Sequence, residues 1–235
     1  PTRRSSDLKK KYYITTPIYY PSAKPHMGHA YSSISADFIA RYKRLEGYDV
    51  MFVTGTDEHG QKIQKSADKR KLSPDIFCNE ISKVFLDLTK TLNLSNTDFI
   101  RTTEIRHHKT VQKLWNILEE KKFIYLSKYS GWYSVSDEAF YTESEIIEKD
   151  NIKLCEASGS VVEWVEEESY FFKLSEFQNL LIKHYEDNPE FIQPSSRRNE
   201  VMSFVKGGLN DLSVSRNSFK WGISVPNSKD HIVYV

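Results

Sequence analysis

Residues 11–54 limit the fold more than any other stretch of this chain. Residues 11–16 (KYYITT) are aromatic and β-branched and stop at Pro17, the pattern of a strand. Pro17, Pro21 and Pro25 make 17–25 a loop. Over 27–46, Ala30, Ile34, Phe38, Tyr42 and Leu45 recur at helical spacing and give the helix an apolar face, with Gly47 as its stop. Residues 49–54 (DVMFVT) are a second, buried-type strand. Strand, loop, helix, strand at this spacing is a βαβ unit. It commits the chain to a parallel sheet, in which ligands bind at the C-terminal ends of the strands.

The same layout continues. Ser73, Pro74 and Asp75 read as a helix start. Phe77, Ile81, Phe85, Leu88 and Leu92 line one face of that helix, 99–103 (FIRTT) is a third strand, and Val111, Leu114, Trp115 and Leu118 mark another helix. After Lys122 the texture changes. Residues 123–140 are aromatic-rich with Gly131 as a turn, which predicts antiparallel hairpins. Residues 145–159 read as charged and irregular, 161–174 as strand, 177–185 and 199–205 as helices, and 212–215 as strand. The expected fold class is α/β: a Rossmann-type parallel sheet over 9–115, interrupted by a connective α+β insertion over 116–210, with the sheet domain resuming over 211–235.

Charge is balanced, 33 basic against 32 acidic residues, so the chain has no global pull towards nucleic acid. The two cysteines, Cys78 and Cys155, form no CxxC pair, which argues against a disulfide framework and fits a reducing compartment. No apolar run reaches membrane-spanning length, so a cytoplasmic protein is expected. Residues 1–8 (PTRRSSDL) carry no period and read as a cloning scar, while 231–235 (HIVYV) read as a strand cut off before it finds a partner. The expectation is an N-terminal piece whose C-terminal half is missing, inactive on its own.

The first constellation that carries chemistry is Pro25-His26-Met27-Gly28-His29, between the first strand and its helix. A helix N-terminus there offers free N–H groups and a positive dipole end to phosphate. Gly28 lets backbone approach a flat ligand. His26 and His29 supply hydrogen-bond donors suited to stabilising a phosphate under attack. Two alternatives stay open on these residues alone: His26 and His29 as metal ligands, or as ordinary loop histidines.

Five blocks in order then carry a resemblance. Residues 14–30 (ITTPIYYPSAKPHMGHA), 55–60 (GTDEHG), 99–104 (FIRTTE), 197–201 (RRNEV) and 211–216 (DLSVSR) with Trp221-Gly222 resemble the methionyl branch of the class I aminoacyl-tRNA synthetases over nearly all of 12–235. The resemblance implies ATP-dependent activation of methionine to methionyl-adenylate and transfer to tRNA(Met). It implies that His26, Gly28 and His29 hold ATP and that Asp57 binds the substrate ammonium, a charge-assisted bond. It also implies that Ile18 and Tyr20 line an apolar side-chain pocket, with Glu58, His59 and Gly60 on the same wall. Arg216, where the sheet domain resumes, is implied as a guanidinium facing phosphate or carboxylate. Each has a plainer alternative: Asp57 as a helix cap, Ile18 and Tyr20 as core, Arg216 as a surface residue. Mg²⁺ is expected with the nucleotide.

Many methionyl enzymes carry a zinc knuckle with a CxxC pair in the insertion. Here Ser134 and Asp137 stand where that pair would be, and Cys155 has no local partner in the sequence, so a metal-free knuckle is expected, held by Trp132, Tyr133, Phe140 and Trp164. Lys62, Lys65, Lys69, Arg70 and Lys71 read as a solvated helix face. The alternatives are another class I synthetase or a nucleotidylyltransferase sharing the histidine signature.

Overall fold

A computed structural model describes residues 9–137, 139–149 and 151–234. The tract 1–8, read above as a scar, lies outside them. The chain divides into two compact units between Thr110 and Val111.

The first unit carries the parallel sheet. Strands β1 (Lys11–Thr15), β2 (Asp49–Thr56) and β3 (Asp98–Arg101) lie in the order β1-β2-β3, both pairings parallel. Helix α1 (Met27–Leu45) joins the first two; α2 (Gln61–Lys69) and α3 (Pro74–Thr91) precede β3, and α4 (Ile105–Glu120) follows it. Helix α1 forms where its periodicity places it, but the buried face is a different one. Ser33, Ala36, Asp37 and Ala40 turn inward, while Phe38 is 71% and Leu45 88% exposed. Ala36 and Ala40 pack on Val50 and Phe52 of β2. Small side chains let the helix axis approach the sheet closely, so the wide aromatic stripe is not the one that docks. Asp37 fastens this contact by accepting from Ser95 N (2.6 Å) and Arg41 Nε (2.6 Å). In α3, Phe77, Ile81 and Phe85 are buried as expected. Ser73 sits at its N-cap without a side-chain cap bond, and Pro74 begins the first turn.

The second unit is built on antiparallel pairing. β4 (Ile124–Ser134) and β8 (Glu163–Phe172) run together from Ile124↔Phe172 to Tyr133↔Glu163. β5 (Ala139–Tyr141) flanks β4, and β9 (Leu212–Ser213) flanks β8. Residues 145–159, expected to be irregular, contain the hairpin β6 (Ile146–Lys149) and β7 (Ile152–Cys155). β6 (IIEK) shows no apolar alternation, and both short strands sit within charged sequence, so the pattern gave no strand signal. Helices α5 (Gln178–Asp187) and α6 (Ser195–Lys206) come next. The short strands β10 (Ser215–Arg216), β11 (Ile223–Ser224) and β12 (Ile232–Val233) form a sheet in which β12 is central. The tract expected to be an unpaired strand is thus paired on both sides. Trp115, Ile124, Val214 and Val225 make this unit's core. No described helix is long and apolar enough to cross a membrane.

Candidate active site at the C-terminal ends of the parallel strands

Beyond β1 the chain stays joined to β2. Tyr19 N donates to Gly55 O (3.0 Å), and Asp57 N donates to Tyr19 O (2.8 Å). This backbone zipper sets residues 18–20 and 57–59 side by side, at the strand ends where a parallel sheet binds ligands. Gly55 is required here: a Cβ would lie 1.9 Å from the Ile100 carbonyl oxygen of β3.

The histidines cap α1. His26 is the N-cap residue; its Nδ1 accepts from Gly28 N (3.1 Å), and its own N–H donates to His29 Nδ1 (3.0 Å). This is a capping box with imidazole in both places. The rings lie 3.9 Å apart. Gly28 has a second reason to be glycine, since a Cβ would approach His26 Cε1 to 2.9 Å. Burial, then the charge of His26, lowers the His29 pKa below the ordinary histidine value. A neutral ring is also what Nδ1 needs in order to accept.

Tyr19, passed over in favour of Ile18 and Tyr20, is what seats His29. It is buried, its ring meets His29 edge-on at 4.9 Å, and its hydroxyl bonds Ser33 Oγ (2.6 Å) and the His29 carbonyl. Phe85 stacks on Tyr19 at 5.7 Å and meets the His29 ring edge-on at 5.1 Å. Alternation would not have found it: along β1 the even positions Tyr12 and Ile14 face in and Tyr13 is exposed, and Tyr19 turns inward only because the pairing register shifts by one residue between Thr15↔Val53 and Tyr19↔Thr56. Ile18 is 50% exposed. Tyr20 is half-buried and donates to the His59 carbonyl (3.1 Å).

Asp57 is half-buried and accepts from the Thr102 hydroxyl (3.4 Å). The N-cap of α2 is Gly60, at φ 104, so the helix-capping alternative does not fall to Asp57. Glu58 is wholly buried, paired with Arg101. Burial, with His108 and His107 adding and Glu58 opposing, pushes the His59 pKa down to about 4. A base depressed in the folded state binds fewer protons than in the unfolded chain between its two values. Stability is therefore full above 6.5 and is lost as the pH falls towards about 4. Thermal unfolding measured stepwise across that window should show a falling midpoint, with a shallower fall in His59→Asn; equal slopes would refute the burial of a neutral ring. Lys62, Lys65, Lys69, Arg70 and Lys71 are all exposed, as expected of a solvated face.

In the second unit, Arg216 is buried at 6% exposure rather than on the surface. Its Nη1 donates to Ser213 Oγ (2.6 Å) and Ser215 O (2.7 Å), and its guanidinium lies over the Phe140 and Tyr234 rings. The knuckle positions also converge. Asp137 accepts from Ser158 (2.6 Å), Ser160 (2.8 Å) and Tyr141 (2.8 Å), and Ser134 Oγ accepts from Asp137 N (3.3 Å). Ser158, three residues after Cys155, donates its hydroxyl to Asp137, 21 residues away in sequence. One thiol and one carboxylate among hydroxyls do not make a tetrahedral zinc set. Among the described residues no group of three or more His, Cys, Asp or Glu side chains could hold a metal ion, so His26 and His29 lack a third ligand there. Trp132 meets Trp164 at 5.3 Å and Tyr133 meets Phe140 at 4.6 Å, the expected aromatic contacts.

The profile of the family described as tRNA synthetases class I (M) matches residues 12–235. The chain belongs to that family. A methionine–tRNA ligase of Rickettsia conorii is 54% identical over 228 residues, 97% of this chain and 44% of that protein. One of Rhizobium meliloti is 54% identical over 225 residues, 95% of this chain and 43% of that protein. The crystal structure of Mycobacterium tuberculosis methionyl-tRNA synthetase bound by methionyl-adenylate superposes with a TM-score of 0.92 at 50% identity, covering 96% of this chain and 45% of that one. The chain thus spans less than half the length of these class I (M) synthetases.

Proposed function

We propose that the protein is a methionine–tRNA ligase, and that the two loops joined by the Tyr19–Asp57 zipper are one side of its adenylate-forming site. The observation that carries this is the pairing of two chemistries on adjacent strand ends: imidazoles on a helix N-terminus, and a carboxylate at Asp57. In the proposed reaction a methionine carboxylate oxygen attacks the α-phosphorus of ATP. The new O–P bond forms as the α–β anhydride bond breaks, and pyrophosphate leaves. The acyl group then passes to the 3′ end of tRNA(Met). His26, Gly28 and His29 hold the phosphates; Asp57 holds the ammonium; Ile18 and Tyr20 line the side-chain pocket. Arg216 belongs to the proposal on its place in the sequence blocks. Mg²⁺ accompanies the nucleotide, and the setting is the cytoplasm. The work is positioning and charge stabilisation, with no covalent nucleophile. The complete gene product should exchange pyrophosphate into ATP when methionine is supplied and not with leucine or cysteine; dependence on either of those would overturn the reading.

We infer in addition that the knuckle functions without zinc. Elemental analysis after dialysis should find far less than one zinc per chain. Asp137→Ala, which strands the Ser158, Ser160 and Tyr141 hydroxyls, should lower the unfolding midpoint more than Ser160→Ala. Stoichiometric zinc lost in Asp137→Ala would sink the idea.

A further inference from the structure

We propose that Glu58 and Arg101 are positioning residues for Asp57, an inference that rests on the ammonium-binding role given to Asp57 above. Glu58 is 0% exposed and so cannot meet substrate itself. A carboxylate is tolerated in such a place only when donors surround it. Arg101, the last residue of β3, supplies a fork: Nε to Oε1 at 2.6 Å and Nη2 to Oε2 at 2.9 Å. Thr56 and Ser82 add hydroxyls to Oε1 (2.7 and 2.5 Å), and Thr103 adds one to Oε2 (2.5 Å). These donors come from β2, α3, and β3 with the turn after it, so one side chain ties three elements to the loop that follows β2. Burial pushes the carboxyl up, but Arg101 and the hydroxyls outweigh it and hold the group below the ordinary glutamate range.

The anchor reaches Asp57 through the backbone and one hydroxyl. Glu58 N donates to Thr102 Oγ1 (2.8 Å), and the same hydroxyl donates to Asp57 Oδ1 (3.4 Å). Thr102 therefore fixes both neighbours at once. Cys78 Sγ donates to the Glu58 carbonyl (3.5 Å). Between Thr56, where β2 ends, and Gln61, where α2 begins, the loop has no regular structure of its own, and Gly60 lies in the left-handed region. Its backbone is tied to residues 19 and 20 on one side, and the Glu58 side chain ties it to β3 and α3 on the other. Losing the grip lets Asp57 turn, and releases beside it a guanidinium that competes with an ammonium for the same carboxylate.

The test is steady-state ATP–pyrophosphate exchange in the complete gene product, with thermal unfolding alongside. Glu58→Gln should raise the methionine KM on the order of ten- to a hundredfold, the scale of a misplaced positioning group, with the ATP KM moved less than about twofold. Inhibition by 4-(methylthio)butanoate, methionine without its amine, should be unchanged, because only ligands bearing the ammonium report on Asp57. Arg101→Lys keeps the charge and loses the fork, and should fall between wild type and Glu58→Gln. If Glu58→Gln does not fold, Thr103→Val removes a single donor and should shift the methionine KM in the same direction by less. A lower unfolding midpoint with an unmoved methionine KM would reduce the pair to a structural role and overturn the proposal. If Asp57→Asn itself leaves the methionine KM unmoved, the ammonium assignment fails. If Asp57→Asn raises it while Glu58→Gln and Thr103→Val do not, this inference fails alone.

Discussion

Asp57→Asn in the complete gene product should weaken methionine activation by roughly thirtyfold to a few thousandfold. Removing one partner of a buried, hydrogen-bonded charge pair costs on the order of 2–5 kcal/mol, and each 1.4 kcal/mol is about tenfold. Asparagine keeps the shape and can still accept from Thr102, so the loss reports charge rather than packing. The effect should fall on methionine and spare ATP binding. Asp57→Glu should do poorly as well, because Tyr19 holds the Asp57 backbone and a longer side chain would overshoot the position that backbone sets. Methionine-dependent exchange with each substrate varied separately decides it. Wild-type efficiency in Asp57→Asn would remove the residue from the site.

Much of this architecture was legible because the parallel sheet announces itself through period and punctuation. Pro17, Gly47 and Pro74 mark ends that local chemistry alone enforces. The βαβ unit was read correctly while its helix was docked by the wrong face, and the reason is physical. Periodicity counts apolar bulk, whereas close approach of α1 to β2 selects Ala36 and Ala40. The candidate site divides in the same way. His26, His29 and Asp57 stand out because ionisable groups gathered in the loops that directly follow parallel strands are unusual. Tyr19, Arg101 and Ser158 did not, because their importance lies in partners distant in sequence. Arg101 lies 43 residues from Glu58, and a strand-end arginine has no local mark to distinguish it. The hairpin at β6 and β7 was missed for a different reason: short strands rich in Glu and Lys carry little apolar alternation.

His29→Ala should lower the rate of adenylate formation on the order of a hundred- to a thousandfold, the usual cost of one donor aimed at developing charge. The capping box states which atom is the donor. Gly28 N–H donates a hydrogen bond to His26 Nδ1, and His26 N–H donates one to His29 Nδ1. A neutral imidazole that accepts at Nδ1 carries its hydrogen at Nε2. The same hydrogen bonds that end the helix therefore fix both tautomers, each ring keeping an Nε2–H to offer phosphate at the positive end of α1. Glutamine at position 29 can reproduce both halves, accepting from His26 N through its oxygen, as in an ordinary capping box, and donating through its nitrogen. His29→Gln should accordingly retain more activity than His29→Ala or His29→Asn, whose amide is too short to reach the Nε2 position. Because His26 and His29 hold each other, their effects should not multiply: His26→Ala with His29→Ala should cost clearly less than the product of the single losses. Single-turnover adenylate formation at saturating methionine and ATP measures all five variants, and unfolding midpoints separate lost packing against Tyr19 and Phe85 from lost chemistry. If His29→Gln is as impaired as His29→Ala at equal stability, the Nε2–H donor is not what the reaction uses. If the double variant retains wild-type rates, neither imidazole belongs to the site.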